Sequence, residues 1–256
     1  GWTNVSFLPD FNYFEVEGID EDFFSLLKRY VYEAAMITNL KVSLNGEVAV
    51  VKNLEKYVRF FFSDPKDYKL IRFLAPNGDE CVLVAGDIPE VNIMDKPPQI
   101  SWINGINTSE GGIHVDAWSS LIFPKLVKAF NNKKRGKDTP KIKVSAKRLH
   151  PWLTLYVRAE SFGAIFESNS KKRFTGFKTL NEEGEEVISE KIDLNSPETK
   201  VFLASINDAV EKMMKWDFIG FIEDQLIAEA EMAESKDTTK IPKRISDEKY
   251  VDANMV

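Results

Sequence analysis

Two adjacent glycines, Gly111 and Gly112, separate a stretch of strand character from one of helical character, and this junction constrains the fold more than any other feature. Upstream, Ile100–Ile106 reads as a strand. Downstream, Val115, Trp118, Leu121, Ile122, Leu126 and Val127 recur at helical spacing as far as about Phe130. Paired glycines let the backbone turn sharply and pack closely at a helix N-terminus. Strand and helix therefore alternate within one chain, which reads as a mixed fold.

Other segments agree. Thr3–Leu8 alternates like a strand before Pro9-Asp10 turns the chain, and the absence of an initiating Met predicts that something precedes it in a parent protein. Asp20-Glu21-Asp22 supplies a negative first turn for a helix carrying Phe23, Leu27, Tyr30 or Val31, and Ala34. Val42 and Leu44 lead into Asn45-Gly46, which suits a two-residue turn at positive φ, and Val48 and Val50 lead away. Leu54–Phe62 reads as a short helix, Glu80–Ala85 and Leu153–Val157 as strands, and Pro89–Pro98 as a loop. Ser196-Pro197-Glu198 is a strong helix start, and the helix it opens is predicted to reach about Ala233, roughly 50–55 Å. Residues 235–256 are polar and interrupted by Pro242, as in a linker.

Composition narrows the function classes. A hydrophobic content of 43% over 256 residues supports a buried core in one large or two small domains. The single cysteine, Cys81, excludes an intramolecular disulfide and a multi-cysteine zinc site, and two histidines, His114 and His150, leave little for a histidine-rich metal centre. No apolar run approaches the ~20 residues of a membrane helix. A soluble intracellular protein is expected, in a bacterial cytoplasm or a nucleus. The net charge of −6 is unevenly spread: residues 124–148 are strongly basic, Lys171, Lys172 and Arg173 form a second knot, and acids collect in the last third.

The run Ser101-Trp102-Ile103-Asn104-Gly105-Ile106-Asn107-Thr108-Ser109-Glu110-Gly111-Gly112-Ile113-His114-Val115 resembles the transducer signature of type IIA DNA topoisomerases. In that family a strand ending in Val-Asn-x-Ile leads through Thr-x-x-Gly-Gly-Thr-His into a helix; Ile113 departs from it by replacing a threonine. Gly1-Trp2-Thr3-Asn4-Val5-Ser6-Phe7-Leu8-Pro9-Asp10-Phe11 is similar to the strand that closes the family's GHKL ATPase domain. Phe166-Glu167-Ser168-Asn169-Ser170-Lys171 is similar to its Phe-Asp-Ser-Gln-Thr-Lys switch loop, and Lys249-Tyr250-Val251-Asp252-Ala253-Asn254 resembles the linker before its TOPRIM domain. The match is best to the T-even phage and eukaryotic branches.

The resemblance implies an α+β transducer of the ribosomal protein S-five domain 2-like fold, a four-stranded sheet with helices on one side, followed by a long helix. It places residues 1–13 as the last strand of a GHKL ATPase domain, 14–195 as the transducer, 196–233 as a connecting helix and 234–256 as a linker toward a TOPRIM domain. It implies that Lys171 is the catalytic cation reaching the γ-phosphate of ATP, with Asn169 replacing a glutamine and Lys172 as the alternative register. ATP and magnesium would be held mainly by the GHKL domain, with a second magnesium site in TOPRIM. Lys133, Lys134, Arg135 and Lys137 resemble the lysine-rich loop that eukaryotic relatives present to DNA, so non-specific duplex contact is implied alongside other topoisomerase domains or subunits in a dimeric parent.

Taken alone, Lys171 would be an ordinary solvated lysine and the basic segment a charged loop; His114 is read as structural, and Trp118, Phe123 and Phe130 as core. The alternatives are a MutL-type GHKL ATPase, which shares the fold and a switch lysine, a GHMP-type kinase, for which no Gly-rich phosphate loop is present, and a non-enzymatic basic DNA-binding module. The purified chain is expected to be monomeric and without ATPase or DNA-cleaving turnover. Turnover in a steady-state assay would overturn this reading.

Overall fold

The computed structural model describes residues 2–38, 40–137, 139–192, 194 and 200–238, with side chains up to residue 233. Gly1, the expected helix start at Ser196-Pro197-Glu198 and the stretch Lys249–Asn254 lie outside the described residues. The chain divides into two compact units, Gly1–Ser63 and Asp64–Val256.

In the first unit, helix α1 spans Glu21–Ile37, and the Asp20 side chain caps it by accepting from the Phe23 N–H at 2.7 Å. Strands β1, Ser43–Leu44, and β2, Glu47–Val48, form the expected hairpin, with Asn45 at φ 50° and Gly46 at φ 86°. Helix α2, Leu54–Val58, continues as a 3-10 turn at Arg59–Phe61. Glu33 is buried on α1, where its carboxylate accepts from Arg29 Nε at 2.7 Å and the Tyr57 hydroxyl at 3.1 Å. Burial, reinforced by this carboxylate, pushes the Tyr57 phenol far up. Thr3–Leu8 forms no strand, contrary to its alternation: it has no ladder partner among the described residues, and Phe7 and Leu8 remain exposed.

The second unit is built on a sheet of order β3-β4-β7-β5-β6, comprising Lys69–Leu74, Glu80–Ala85, Thr154–Ala159, Gln99–Ile103 and Ile106–Asn107. Five strands are found where four are implied; the fifth, β6, has two residues and folds back on β5 through Asn104-Gly105. Neighbours run antiparallel except β5 and β7, which are parallel and so require a crossover. That crossover contains helix α3, Ile113–Asn132, and the short helix α4, Ala146–Leu149, followed by a 3-10 turn at His150–Trp152. Pro124 sits inside α3 on its exposed side, and the carbonyl deprived of a partner belongs to Ser120, also exposed.

One sheet face, with Phe73, Cys81, Leu83, Leu155 and Val157, packs against Trp118, Ile122 and Leu126 of α3 and against helices α5, Lys200–Met213, and α6, Asp217–Thr238. These two helices replace the single one expected over 196–233. The α5 stripe of Phe202, Ile206, Ala209, Val210 and Met213, continued at helical spacing, would bury Asp217 and Gly220, which are exposed. A break at residues 214–216 resets the phase, so that Phe218, Ile219 and Ile222 meet the same core. On strand β4, Glu80 is buried and ion-paired to Arg72 and to Arg158, the latter at 3.7 Å, which offsets the cost of a buried carboxylate. A second sheet, β10-β9-β8, comprises Glu186–Ser189, Phe174–Leu180 and Ala164–Phe166.

Among the described residues no helix is long and apolar enough to cross a membrane. Trp118 is fully buried between the rings of Phe73 and Phe202, at 5.9 and 5.6 Å. Trp118→Ala is expected to cost about 3–5 kcal/mol in denaturant unfolding.

Candidate functional site

Strands β8 and β9 are antiparallel, and the turn between them carries the second basic knot. The Glu167 N–H donates to the Arg173 carbonyl at 3.1 Å, closing the loop, and the Lys171 N–H donates to the Ser168 carbonyl at 3.0 Å within it. Lys171 takes φ 55°, a left-handed conformation uncommon for a residue with a side chain. Its ammonium lies 5.8 Å from the centre of the Phe166 ring. Asn169, Lys171 and Lys172 are all exposed. Ser168 and Ser170 spend their hydroxyls on each other, at 2.7 Å.

The loop is held from outside by the glycine junction. The Glu110 N–H donates to the Lys172 carbonyl at 2.9 Å, and the Phe174 N–H donates to the Gly111 carbonyl at 3.0 Å. Gly112 and Phe174 form a parallel bridge. A Cβ on Gly112 would fall 2.1 Å from the Phe174 carbonyl oxygen, and Gly112 has φ 143°, so sterics and backbone conformation both require glycine here. The other end of the same run reaches the segment before β8. Asn104 donates from its amide to the Ser161 carbonyl at 2.7 Å and accepts from the Ser161 N–H at 2.8 Å, a side-chain copy of a strand pairing. Two stretches remote in sequence thus form one hydrogen-bonded unit.

A buried polar chain supports the junction from beneath. The Ser101 and Thr108 hydroxyls lie 2.6 Å apart, and Thr108 Oγ1 is 3.3 Å from His114 Nε2. His114 is buried, with its ring edge-on to Phe174 at 5.6 Å. Burial lowers its pKa to about 3, so the imidazole is neutral. Between its ordinary value near 6.5 and about 3, the unfolded chain binds a proton that the folded chain refuses. This group's contribution to stability is therefore lost as pH falls through that window. The neighbours of His114 are thus the Thr108 hydroxyl and the Phe174 ring, and its buried Nδ1 has no hydrogen-bond partner among the described residues.

The four basic candidates separate into two pairs. Lys133 Nζ lies 2.6 Å from Glu223, and Arg135 is 2.9 Å from the same carboxylate while capping the Phe130 carbonyl at 3.0 Å and covering the Phe130 ring at 4.7 Å. Lys134 and Lys137 are exposed. Nearby, Arg148 pairs with Glu229 at 2.5 Å. Sequence reasoning missed Glu223, Glu229 and Phe174, since each becomes a partner only through tertiary packing. Among the described residues, no group of three or more His, Cys, Asp or Glu is placed to hold a metal.

Gly112→Ala is expected to cost on the order of 3 kcal/mol in denaturant unfolding, because the clashing atoms all belong to the Phe174 backbone and none is a movable side-chain end. Gly136→Ala, where the nearest atom is a Thr139 hydroxyl at 3.5 Å, serves as the control and should lie within about 0.5 kcal/mol of the parent chain.

No protein-family model matches the chain. DNA topoisomerase 2-alpha of Mus musculus is 31% identical over 181 residues, covering 68% of this chain and 11% of that protein. DNA topoisomerase 2 of Acanthamoeba polyphaga mimivirus is 28% identical over 174 residues, covering 68% of this chain and 13% of that protein. Among solved structures, the ATPase region of Saccharomyces cerevisiae topoisomerase II matches with a TM-score of 0.60 at 19% identity, covering 86% of this chain and 49% of that one, which shows a shared fold. This mixed α+β chain therefore has type II DNA topoisomerases as its homologues and spans 11–13% of the length of the two named here.

Proposed function

We propose that this chain is the transducer segment of an ATP-dependent type II DNA topoisomerase, with the sheet of the second unit and its covering helices forming the S-five domain 2-like body. The observation that carries this is the union of the glycine junction with the β8–β9 loop, through Glu110 to Lys172 and Gly111 to Phe174. Each half resembles a separate family motif, and the fold joins them. A loop that presents a cation must keep it in one place, and the main-chain bonds on both sides of Lys171 do this without using its side chain. Among the described residues Lys171 forms no ion pair, so its ammonium is available to an anion.

ATP, held with magnesium mainly by a GHKL domain in the parent enzyme, would supply a phosphoanhydride whose cleavage places charge on the γ-phosphoryl oxygens. Lys171 would meet that charge, and Asn169, one methylene shorter than the glutamine it replaces, would stand beside it. A pinned cation stabilises such charge with little reorganisation. Loss of the contact after hydrolysis would free the loop, and the shared hydrogen bonds would carry the change through Gly111-Gly112 to α3. The parent would act on duplex DNA as a dimer. Exposed Lys134 and Lys137 are the side chains best placed for sequence-independent phosphate contact, since Lys133 and Arg135 are engaged by Glu223.

In the full-length enzyme, Lys171→Ala is expected to slow ATP hydrolysis about 10- to 100-fold while weakening nucleotide binding much less, the loss of one hydrogen bond to a charged group. Lys172→Ala is the control and should change the rate little, because its structural contact is made by the main chain. Equal effects, or a larger one at Lys172, would shift the register by one residue; no effect at either would refute the switch role.

A further inference from the structure

The ion pairs between the basic segment and α6 divide that helix into two parts. Phe218, Ile219 and Ile222 are buried in the core, but no described residue from Glu223 onward is. Beyond Ile222 the helix is held by part-buried Leu226, Ile227 and Ala230 and by its acids. Glu223 takes Lys133 and Arg135, Glu229 takes Arg148, and Arg148 also reaches Gln225 at 3.4 Å. Arg135, Arg148 and Glu223 are the well-shielded members, their side chains 14%, 12% and 15% exposed.

Guanidinium groups recognise carboxylate and phosphate by the same planar fork of donors. We propose that Glu223 and Glu229 stand in for a polyanion on a cation cluster of Lys133, Arg135 and Arg148, so that duplex phosphates and the α6 carboxylates compete for the same side chains. The cluster is then an occluded DNA-backbone site, and Lys134 and Lys137 are its open approach. Lys133–Glu223 and Arg148–Glu229 each have an exposed member and are individually weak, whereas Arg135–Glu223 is shielded on both sides and is the last to exchange. Counterion release on phosphate binding favours the exchange at low salt. Because the break at residues 214–216 separates α6 from α5, and Phe218, Ile219 and Ile222 anchor only its first turns, α6 can fray from Glu223 onward without unwinding α5. Duplex contact would in this way be coupled to the position of the helix end.

The inference rests on the reading of the basic segment as a duplex contact, and the test separates the two. Binding of a short mixed-sequence duplex to the whole chain is followed by fluorescence anisotropy across a salt series, for the parent chain, for Glu223→Gln/Glu229→Gln and for Lys134→Ala/Lys137→Ala. Neutralising the two acids should tighten binding about tenfold and steepen the log–log salt slope by about 0.9 for each cation released. Hydrogen exchange of the unmodified chain should show the α6 amides after Glu223 losing protection when duplex is added. Weaker or unchanged binding by the acid variant, with protection of α6 unchanged or raised by duplex, would overturn the proposal. If Lys134→Ala/Lys137→Ala then lost binding, the duplex contact would stand without the competition. If no variant bound duplex, both would fall, leaving the Lys171 assignment to its own assay.

Discussion

The contact on which the candidate site depends is the one between Gly112 and Phe174. A strand can bridge the start of a helix only where no side chain intervenes, and the space at Gly112 ends on a carbonyl oxygen that belongs to the β9 backbone. That approach brings the Glu110 and Gly111 peptides into bonding range of Lys172 and Phe174. Asn104 repeats the connection at Ser161. The β8–β9 loop therefore exposes Asn169, Lys171 and Lys172 on a backbone that is fixed. Strain at Lys171, with φ 55°, is sustained because the bonds on both sides overdetermine it.

The polar groups beneath this contact show how a buried network can stiffen a junction. Ser101, Thr108 and His114 form a chain of hydroxyl and imidazole groups within a region otherwise filled by Ile103 and Phe174. Keeping His114 neutral avoids a buried charge, and its ring adds an edge contact to Phe174. The same problem is solved differently at Glu80, where the carboxylate stays paired with arginines on the two flanking strands, Arg72 and Arg158. One site relies on neutrality and the other on compensation.

Charge is distributed differently in space than along the chain. The sequence is polarised, with a basic stretch at residues 124–148 and acids in the last third. Folding lays α6 against the segment that follows α3, so that opposite charges meet at Glu223 and Glu229. A linear reading counts Arg135 as a surface cation equivalent to Lys134. In the fold Arg135 caps a helix carbonyl, covers an aromatic ring and holds a carboxylate, while Lys134 remains in solvent. The two side chains therefore have different uses.

Short-range patterns were legible in the residues themselves. The acidic helix start at Asp20-Glu21-Asp22, the Asn45-Gly46 turn, the strand Glu80–Ala85 and the helix after Gly112 each depend on neighbours a few positions away, so local periodicity and turn chemistry suffice to find them. The family resemblance was legible for a similar reason, since it resides in contiguous runs. What needed the tertiary structure depends on distant partners. Thr3–Leu8 alternates like a strand but finds no ladder among the described residues, and Lys69–Leu74, which alternates poorly, becomes a strand because Glu80–Ala85 pairs with it along its whole length. The helix break at residues 214–216 is set by the core that both α5 and α6 must face, and propensity alone would have run through it. The sequence by itself determined which residues could carry the site; only the fold decided that Gly112 meets Phe174 and that Glu223 meets Arg135, because both contacts join segments that the backbone must first bring together across the sheet and its helices.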